Sequence, residues 1–278
     1  MVRLIGIDAD GTLLDGEGGI PAANLQAVVS AVAAGVHVAV VTGRSYPSIR
    51  PLVDRLPASV TLLVSNGAVE RGMDGATRAR RLLDRRVARA VLGATRPHRS
   101  AAALIFDRDD RRQILFESMD WTHPARQGYW ARNRALIDCA APLEEALVED
   151  PIQVMFNGGV VEMRAVVAGL AREARGFAVS LTEYPERDFS LVDVTAPEAT
   201  KGHALASLAA TLGVARGEVM AIGDNFNDLD MLEFAGVPVV MANAAPALKR
   251  DGWHVAPANS EAGVAAVIER MALAPPGH

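Results

Sequence analysis

Residues 4–12 read Leu-Ile-Gly-Ile-Asp-Ala-Asp-Gly-Thr, a short apolar run that ends at two carboxylates one residue apart. The run predicts a buried strand, and open parallel sheets bind ligands at the carboxyl ends of their strands. In a strand-to-loop turn, Asp8 and Asp10 can take different directions, so that one attacks a substrate while the other handles a proton. The alternative is an acidic turn in which Gly11 only supplies backbone geometry.

Strand and helix signals alternate on both sides of this run. Residues 2–7, 36–41 and 60–64 predict strands, one helix is predicted to begin at Pro21, and a second is predicted from about Ser45 to Leu56. The same alternation returns over residues 190–278, where residues 190–194 predict another strand. Alternating strands and helices require right-handed crossovers and a parallel sheet. We therefore predict an α/β, Rossmann-like core.

The segment between these pieces has a different texture. Residues 83–189 contain short alternating apolar runs and one amphipathic helical stretch, a pattern typical of an α+β domain. We predict a discontinuous core formed by residues 1–82 and 190–278, with residues 83–189 inserted as a second domain.

Composition excludes several classes of protein. Lys and Arg total 28 against 33 acids, which gives a net charge of −5. This charge argues against binding of nucleic acid through overall electrostatic attraction. The longest apolar stretch, residues 27–41, is too short and too polar to span a bilayer, and residues 1–8 lack the features of a signal peptide. We expect a cytoplasmic protein that binds neither nucleic acid nor membrane. The single cysteine, Cys139, excludes a disulfide scaffold and is expected to be buried.

A second acidic motif follows another predicted strand. Residues 223–228 read Gly-Asp-Asn-Phe-Asn-Asp, and the carboxylates of Asp224 and Asp228 are hard oxygen ligands suited to Mg²⁺. The side chain of Asn227 can hold a phosphate oxygen. These residues also suit the start of a helix, where Asn and Asp cap free N–H groups, and both interpretations can hold together.

Two further polar clusters complete the pattern. Thr42-Gly43-Arg44 places a hydroxyl beside free backbone N–H groups, which suits either a phosphate cradle or another helix cap. Lys201 is one of only two lysines in a chain with 26 arginines, the other being Lys249, which suggests a role for a compact point charge. Because each cluster follows a predicted strand, one parallel sheet would bring all of them to a single edge.

An arginine-rich segment lies near the start of the predicted insertion. Residues 71–112 contain twelve arginines and five acids, and Arg78, Arg81, Arg85 and Arg89 would share one stripe of a helix. The stripe is either an ordinary solvated face or a patch that steers anionic substrates.

The motifs, in this order, resemble those of the haloacid dehalogenase-like (HAD) superfamily of phosphohydrolases. The family motifs DxDGT, [ST]GR, Lys-Gly and GDxxND match residues 8–12, 42–44, 201–202 and 223–228. Ser65-Asn66-Gly67 and Asn225 are similar to the Cof-type branch, subfamily IIB. The resemblance covers both core pieces and implies that residues 83–189 form an α/β type 2 (C2B) cap.

The resemblance also implies a role for each motif residue. Asp8 would be the nucleophile that forms an aspartyl-phosphate, and Asp10 the general acid and base. Mg²⁺ would be held by Asp8, the backbone carbonyl of Asp10 and Asp224, with Asp228 in support. The phosphoryl group would be bound by the Ala9 amide, Thr42, Gly43, Lys201 and Asn227.

The resulting prediction is a Mg²⁺-dependent phosphatase of small phosphorylated metabolites, such as sugar phosphates or phosphorylated cofactor precursors. One alternative is a phosphomutase or phosphotransferase that passes the phosphoryl group to a sugar. Another is a non-catalytic binding protein with the same fold. The sequence specifies neither the individual substrate nor the oligomeric state.

Overall fold

The computed structural model describes residues 1–108, 112–173 and 176–274. Strands run over Leu4–Asp8 (β1), His37–Val41 (β2), Thr61–Val64 (β3), Val69–Gly72 (β4), Thr77–Arg80 (β5), Ala102–Ile105 (β6), Ile114–Phe116 (β7), Ile137–Cys139 (β8), Gln153–Gly158 (β9), Ala178–Tyr184 (β10), Phe189–Thr195 (β11), Val219–Gly223 (β12), Val237–Met241 (β13) and His254–Ala256 (β14). The α-helices are Ala22–Ala33 (α1), Tyr46–Ile49 (α2), Arg85–Ala94 (α3), Pro124–Asn133 (α4), Val160–Glu173 (α5), Lys201–Thr211 (α6), Leu229–Phe234 (α7) and Gly263–Ile268 (α8).

The chain forms two compact units. The first consists of Met1–Arg80 and Glu198–His278, and the second of Arg81–Pro197. None of the helices within the described ranges has both the length and the hydropathy that crossing a lipid bilayer requires.

The first unit is built on a sheet with the strand order β14-β13-β12-β1-β2-β3-β4-β5. The strands from β14 to β3 are parallel, and β4 and β5 extend the sheet as an antiparallel hairpin. β1 lies between β12 and β2, with Ile7 opposite Ile222 and Asp8 opposite Val41. The loops that follow these three strands therefore start side by side.

The apolar sequence of β1 follows from burial on both faces of the sheet. Leu4, Ile5 and Ile7 are fully buried, as expected for a central parallel strand covered by helices on each side. On one face, Leu205 and Leu208 of α6 belong to the apolar cluster that also contains Leu4.

On the other face, the buried side chain of Asn24 joins three segments. Its amide donates to the carbonyl of Leu13 at 3.2 Å and its oxygen accepts from the N–H of Ala265 at 3.0 Å. These bonds tie α1 to α8 and to the loop after β1, so a buried polar group is satisfied where it also fixes the loop.

The helix predicted from about Ser45 is much shorter than expected. α2 covers only Tyr46–Ile49, and Arg50 ends it directly before Pro51. Proline has no N–H to donate along a helix, and its ring would collide with the carbonyl four residues before it, so the helix cannot continue past Arg50, whose own backbone is still helical. The prediction of a helix to residue 56 is wrong for this reason.

The second unit contains a mainly antiparallel sheet in the order β10-β11-β9-β6-β7-β8. β11 lies between β10 and β9, where Val192 is opposite both Phe156 of β9 and Leu181 of β10. Residues 190–194 are therefore not a strand of the core sheet, and the second unit extends to Pro197 rather than to residue 189. Buried Ser190, Val192 and Val194 alternate with partly buried Leu191 and Asp193, as in an antiparallel strand.

Apolar side chains cover both faces of this second sheet. Helices α3 and α5 pack on one face through a cluster that includes Val91, Phe156 and Val166. On the other face, Trp121 stacks on Tyr129 of α4, with ring centroids 6.2 Å apart. Cys139 is exposed, contrary to expectation, because it ends β8, the edge strand of this sheet.

The predicted stripe of arginines is not a single helical face. Arg78 lies in β5, and α3 begins only at Arg85. Within the second unit, Arg85 donates to the carbonyl of Val148 and Arg89 donates to that of Glu144. Residues 109–111 of the arginine-rich segment lie outside the described residues.

Asp193 makes the stability of the second unit depend on pH. Burial raises the pKa of this carboxyl from its ordinary value of 3.8 to about 6, although the bond that it accepts from Gln153 at 2.7 Å favours the charged form. Between about pH 4 and pH 6 the folded state therefore binds a proton that the unfolded state has lost, and the stability falls as pH rises. We expect the free energy of unfolding of Asp193→Asn to rise relative to that of wild type as the pH increases from about 4 to about 6. Urea unfolding from pH 4 to pH 8 measures this difference. A difference between the two proteins that does not change with pH would contradict the prediction.

Candidate active site

The loop after β1 brings Asp8 and Asp10 to the carboxyl edge of the first sheet. The N–H groups of Leu13 and Leu14 donate to the carbonyls of Asp8 and Ala9, at 3.1 and 2.9 Å, which folds the loop tightly. Gly11 has a φ of +79°, and a Cβ at this position would lie 2.3 Å from a carboxylate oxygen of Asp224. Only glycine fits both the backbone conformation and this close approach.

Lys201 lies between two buried carboxylates at this edge. Its ammonium donates to Oδ1 of Asp8 and to Oδ1 of Asp228, both at 2.6 Å, and all three side chains are buried. Lys201 is the first residue of α6, whose N-terminus is capped by Thr200. It therefore reaches the site through a helix that begins just after the chain re-enters the first unit, and not from the end of a core strand as predicted.

Gly202, the residue after Lys201, explains how α6 comes so close to Asp230. The N–H of Gly202 donates to the carboxylate of Asp230 at 2.8 Å. A Cβ on Gly202 would lie 2.6 Å from the backbone of Asp230, so a larger residue would push α6 away. The Lys-Gly pair thus supplies a charge and the space that the charge needs.

Three carboxylates of the site lie close together. Asp8, Asp224 and Asp228 each offer an oxygen atom, and these atoms lie within 4.8 Å of one another. The hydroxyl of Thr12 donates to Asp224 at 3.0 Å, which links the loop after β1 to the loop after β12. Three carboxylates against one ammonium leave excess negative charge, and an all-oxygen donor set fits Mg²⁺.

The electrostatics of the cluster follow from burial and from this charge imbalance. Burial raises the pKa of Asp8 well above its ordinary value, and the negative charges of Asp228 and Asp224 act in the same direction against the opposing effect of Lys201. Burial likewise raises the pKa of Asp224. Burial alone would lower the pKa of Lys201, but its two carboxylate partners outweigh that effect and raise it. A divalent cation at these carboxylates would favour their charged form.

Asp228 supports the cluster through both of its oxygens. One oxygen accepts from Lys201, and the other accepts from the N–H groups of Asp224 and Asn225, each at 3.0 Å. The side chain of Asn225 also accepts from the N–H of Phe226, so these residues cap the turn Phe226–Asp228, whereas Asp228 makes no side-chain cap bond to α7. Asn227 is exposed in the turn Phe226–Asp228.

Asp10 has different surroundings from Asp8. Its side chain is 55% exposed, and its two oxygens accept from Nε and Nη2 of Arg44, at 2.7 and 2.6 Å. The structure thus brings Asp8, Asp224 and Asp228 into one cluster, whereas the carboxylate of Asp10 pairs with Arg44. Arg44 belongs to the motif at residues 42–44, and that motif did not predict this ion pair.

The loop after β2 holds two more of the predicted phosphate-binding residues, Thr42 and Gly43, whereas Ala9 directly follows β1. Thr42 is buried, and its hydroxyl accepts from the N–H of Arg44 at 3.1 Å, as a capping residue would. Beside Gly43 lies Asn66, whose N–H donates to the carbonyl of Thr42 at 2.9 Å. The side-chain oxygen of Asn66 is buried and has no hydrogen-bond partner among the described residues. Asn66 belongs to the motif at residues 65–67, but that motif did not predict a buried acceptor at this position.

A family model described as haloacid dehalogenase-like hydrolase matches residues 5–268. The chain belongs to this family. This match confirms the prediction of the family and the prediction that the chain is an enzyme of that family, a HAD hydrolase.

The chain is also similar to named relatives and to a solved structure. The HAD hydrolase is 25% identical to the 5-amino-6-(5-phospho-D-ribitylamino)uracil phosphatase YwtE of Bacillus subtilis, over 97% of this chain and 98% of the relative. It is 28% identical to the chloroplastic endoribonuclease YBEY of Arabidopsis thaliana over 96% of this chain, but spans only 46% of that relative's length. A haloacid dehalogenase-like hydrolase from Bacteroides thetaiotaomicron has a similar fold, with a TM-score of 0.81 at 24% identity over 98% of this chain and 100% of the other. The predicted α/β fold class is confirmed.

The two lysines of the HAD hydrolase provide a matched test of the buried charge cluster. Lys201→Met leaves two buried carboxylates without their ammonium, so we expect the free energy of unfolding to fall by about 3–5 kcal/mol at pH 7. The loss should shrink at lower pH, because protonation of Asp8 removes one of the uncompensated charges.

The control is Lys249→Met, which removes an exposed lysine that donates, among the described residues, only to the carbonyl of Ala242. Its cost should stay below about 1 kcal/mol. Urea unfolding of both variants at pH 5 and pH 7 measures the difference, and equal losses at the two lysines would show that the buried cluster is not under this electrostatic constraint.

Proposed function

We propose that this HAD hydrolase is a Mg²⁺-dependent phosphatase of small phosphorylated metabolites, which acts through an aspartyl-phosphate on Asp8. The observation that carries the proposal is the buried cluster in which Lys201 binds Asp8 and Asp228 beside the carboxylate of Asp224. Such a cluster gathers a nucleophile, a fixed positive charge and a set of oxygen ligands at the carboxyl edge of a parallel sheet.

The chain's own residues account for both half-reactions. A carboxylate oxygen of Asp8 attacks the phosphorus atom, the bond to the leaving oxygen breaks, and that oxygen takes its electron pair and a proton from Asp10. In the second half, water gives a proton to Asp10 and attacks the same phosphorus, which breaks the bond to Asp8 and releases phosphate. Because Lys201 binds Oδ1 of Asp8, the carboxylate is held in one orientation for both attacks.

The donor set fits a hard divalent cation. Asp8, the backbone carbonyl of Asp10 and Asp224 would hold Mg²⁺, with Asp228 in support, and the ion would neutralise charge on the phosphoryl oxygens. The phosphoryl group would be bound by Lys201 and by the Ala9 amide, Thr42, Gly43 and Asn227. Fixed positive charge and oriented N–H groups are the main sources of rate enhancement for such a transfer.

The substrate class follows from the relative and from the chemistry together. The Bacillus subtilis protein YwtE is named as a phosphatase of a phosphorylated ribitylamino compound, which is a sugar-alcohol phosphate. We therefore place sugar phosphates, sugar-alcohol phosphates and phosphorylated cofactor precursors first among the candidates. The cytoplasmic location and the absence of nucleic acid as a partner stay predictions.

The alternatives differ in where the phosphoryl group goes. A phosphotransferase would pass it from Asp8 to an acceptor alcohol, and added acceptor would then speed the disappearance of substrate without releasing phosphate. A non-catalytic binding protein would not need both Asp8 and Asp10, and this chain has both residues. We therefore rank hydrolysis first.

Phosphate release from a panel tests the reaction class. The panel holds p-nitrophenyl phosphate, hexose 6-phosphates, pentose 5-phosphates and ribitol 5-phosphate, each assayed with Mg²⁺ and with EDTA. We expect release with Mg²⁺ and its loss in EDTA, because the acidic cluster carries excess negative charge without a cation. Release that is unaffected by EDTA would overturn the metal site, and substrate loss that depends on an added alcohol would favour the phosphotransferase.

Substitution of the nucleophile tests the assignment of Asp8. We expect Asp8→Asn to abolish turnover, because the amide has nearly the same shape but is a poor nucleophile. The fold should persist, since the substitution removes a charge whose burial is unfavourable. Circular dichroism checks the fold, and the exposed Asp54→Asn serves as the matched control with activity near that of wild type. Turnover close to wild type in Asp8→Asn would exclude Asp8 as the nucleophile.

A further inference from the structure

Arg44 and Asp10 form a two-point ion pair between adjacent loops of the first unit. Nε of Arg44 donates to Oδ2 of Asp10 at 2.7 Å, and Nη2 donates to Oδ1 at 2.6 Å. This side-by-side arrangement uses both carboxylate oxygens and two edges of the planar guanidinium. Such pairs restrict orientation as well as distance, which a single hydrogen bond does not.

The backbone is fixed on both sides of the pair. The N–H of Arg44 donates to the hydroxyl of Thr42, and its carbonyl accepts from the N–H of Ser65 at 2.8 Å. Asp10 forms an isolated bridge with Leu14 in the tight loop after β1. Because β1 and β2 are neighbours in register, with Asp8 opposite Val41, the two loops present these side chains to each other.

The pair is poorly placed to contribute much to stability. The side chains of Asp10 and Arg44 are 55% and 29% exposed. Exposed ion pairs are typically worth only about 0–1 kcal/mol, since water screens the attraction. No other hydrogen bond to the carboxylate of Asp10 is found among the described residues, so Arg44 is the group that restricts its rotamer. The pair therefore does more to orient the carboxylate of Asp10 than to stabilise the fold.

We propose that Arg44 is the positioning residue for Asp10, holding its carboxyl group in the orientation that proton transfer to the leaving oxygen requires. The inference rests on the proposed function, in which Asp10 gives that proton as the phosphorus–oxygen bond breaks. When Asp10 carries the proton, the protonated oxygen donates towards the leaving oxygen, and the hydrogen bond that it accepts from Arg44 weakens. The other oxygen keeps its bond, so the carboxyl group stays oriented. Arg44 acts through Asp10 and exchanges no proton itself.

The choice of leaving group separates this role from others. An alkoxide is a poor leaving group and needs a proton from Asp10, whereas p-nitrophenolate leaves without such help. Loss of the orienting residue should therefore slow alkyl phosphates far more than p-nitrophenyl phosphate. A residue that only stabilises the fold, or one that binds the phosphoryl group, would affect both substrates alike.

The experiment compares wild type, Arg44→Met, Arg44→Lys, Asp10→Asn and the double variant Arg44→Met/Asp10→Asn. The substrates are p-nitrophenyl phosphate and the alkyl phosphate that wild type hydrolyses fastest in the panel above. Arg55→Met is the matched control, because Arg55 is an exposed arginine of the same unit. Thermal unfolding of every variant accompanies the measurements of kcat and KM.

We expect Arg44→Met to lower kcat on the alkyl phosphate by about tenfold or more, a part of the ~10²–10⁴-fold that acid–base catalysis supplies. On p-nitrophenyl phosphate the change should stay within about threefold, and KM and Tm should stay near wild type. In the Asp10→Asn background, Arg44→Met should change kcat by less than about twofold, because residues that act as one unit are not additive. Arg44→Lys should recover part of the loss, since an ammonium restores the charge but not the two-point contact.

Other outcomes would overturn the inference. Equal losses on both substrates, additive effects in the double variant, or a rise in KM alone would assign Arg44 to the fold or to substrate binding. Normal kcat in Arg44→Met with an active wild type would reject the positioning role and leave the proposed phosphatase intact. A wild type that hydrolyses none of the phosphates would reject the proposed function, and the role of Arg44 would fall with it.

Discussion

The ammonium of Lys201 is the interaction on which the site depends. A buried charge must be paired or it costs several kcal/mol, and here one cation serves Asp8 and Asp228 at 2.6 Å each. These contacts join the end of β1, the start of α6 and the loop after β12, which are distant in sequence. Displacing any of the three segments would leave a buried carboxylate without its partner, so electrostatics and chain geometry impose the same arrangement.

The same constraint explains why an insertion of more than a hundred residues leaves the site intact. The chain leaves the first unit at Arg80 and returns at Glu198, only three residues before Lys201. After the return, Thr200 caps α6 and Gly202 lets it approach Asp230, so the local sequence places the ammonium without help from a preceding core strand. The proposed chemistry uses residues of the first unit alone. The sequence of the second unit can therefore change without altering the proposed site.

The sequence predicted the first sheet and its acidic edge because the signals there are local. Continuous apolar runs such as residues 4–7 require burial on both faces, and the polar residues after them fall at one edge whenever the strands are parallel. Residues 190–194 form a strand as predicted, but their sequence does not specify which of the two sheets they join, because strand pairing is not local information. The early end of α2 is a local failure, because Pro51 outweighed the helical pattern. The pairing of Arg44 with Asp10 depends on the register of β1 and β2, which no spacing in the sequence reveals.

The two carboxylates of the first motif acquire different properties from partners of different kinds. Asp8 is buried and held by a buried lysine, so it is shielded from water and fixed in one direction, as an attacking group should be. Asp10 is exposed and held by an arginine at the surface, so it remains accessible to a leaving group and then to water. The proposed proton carrier needs that access, whereas the proposed nucleophile would lose selectivity from it. The division of labour that we propose for these two aspartates thus follows from where the fold places their cations.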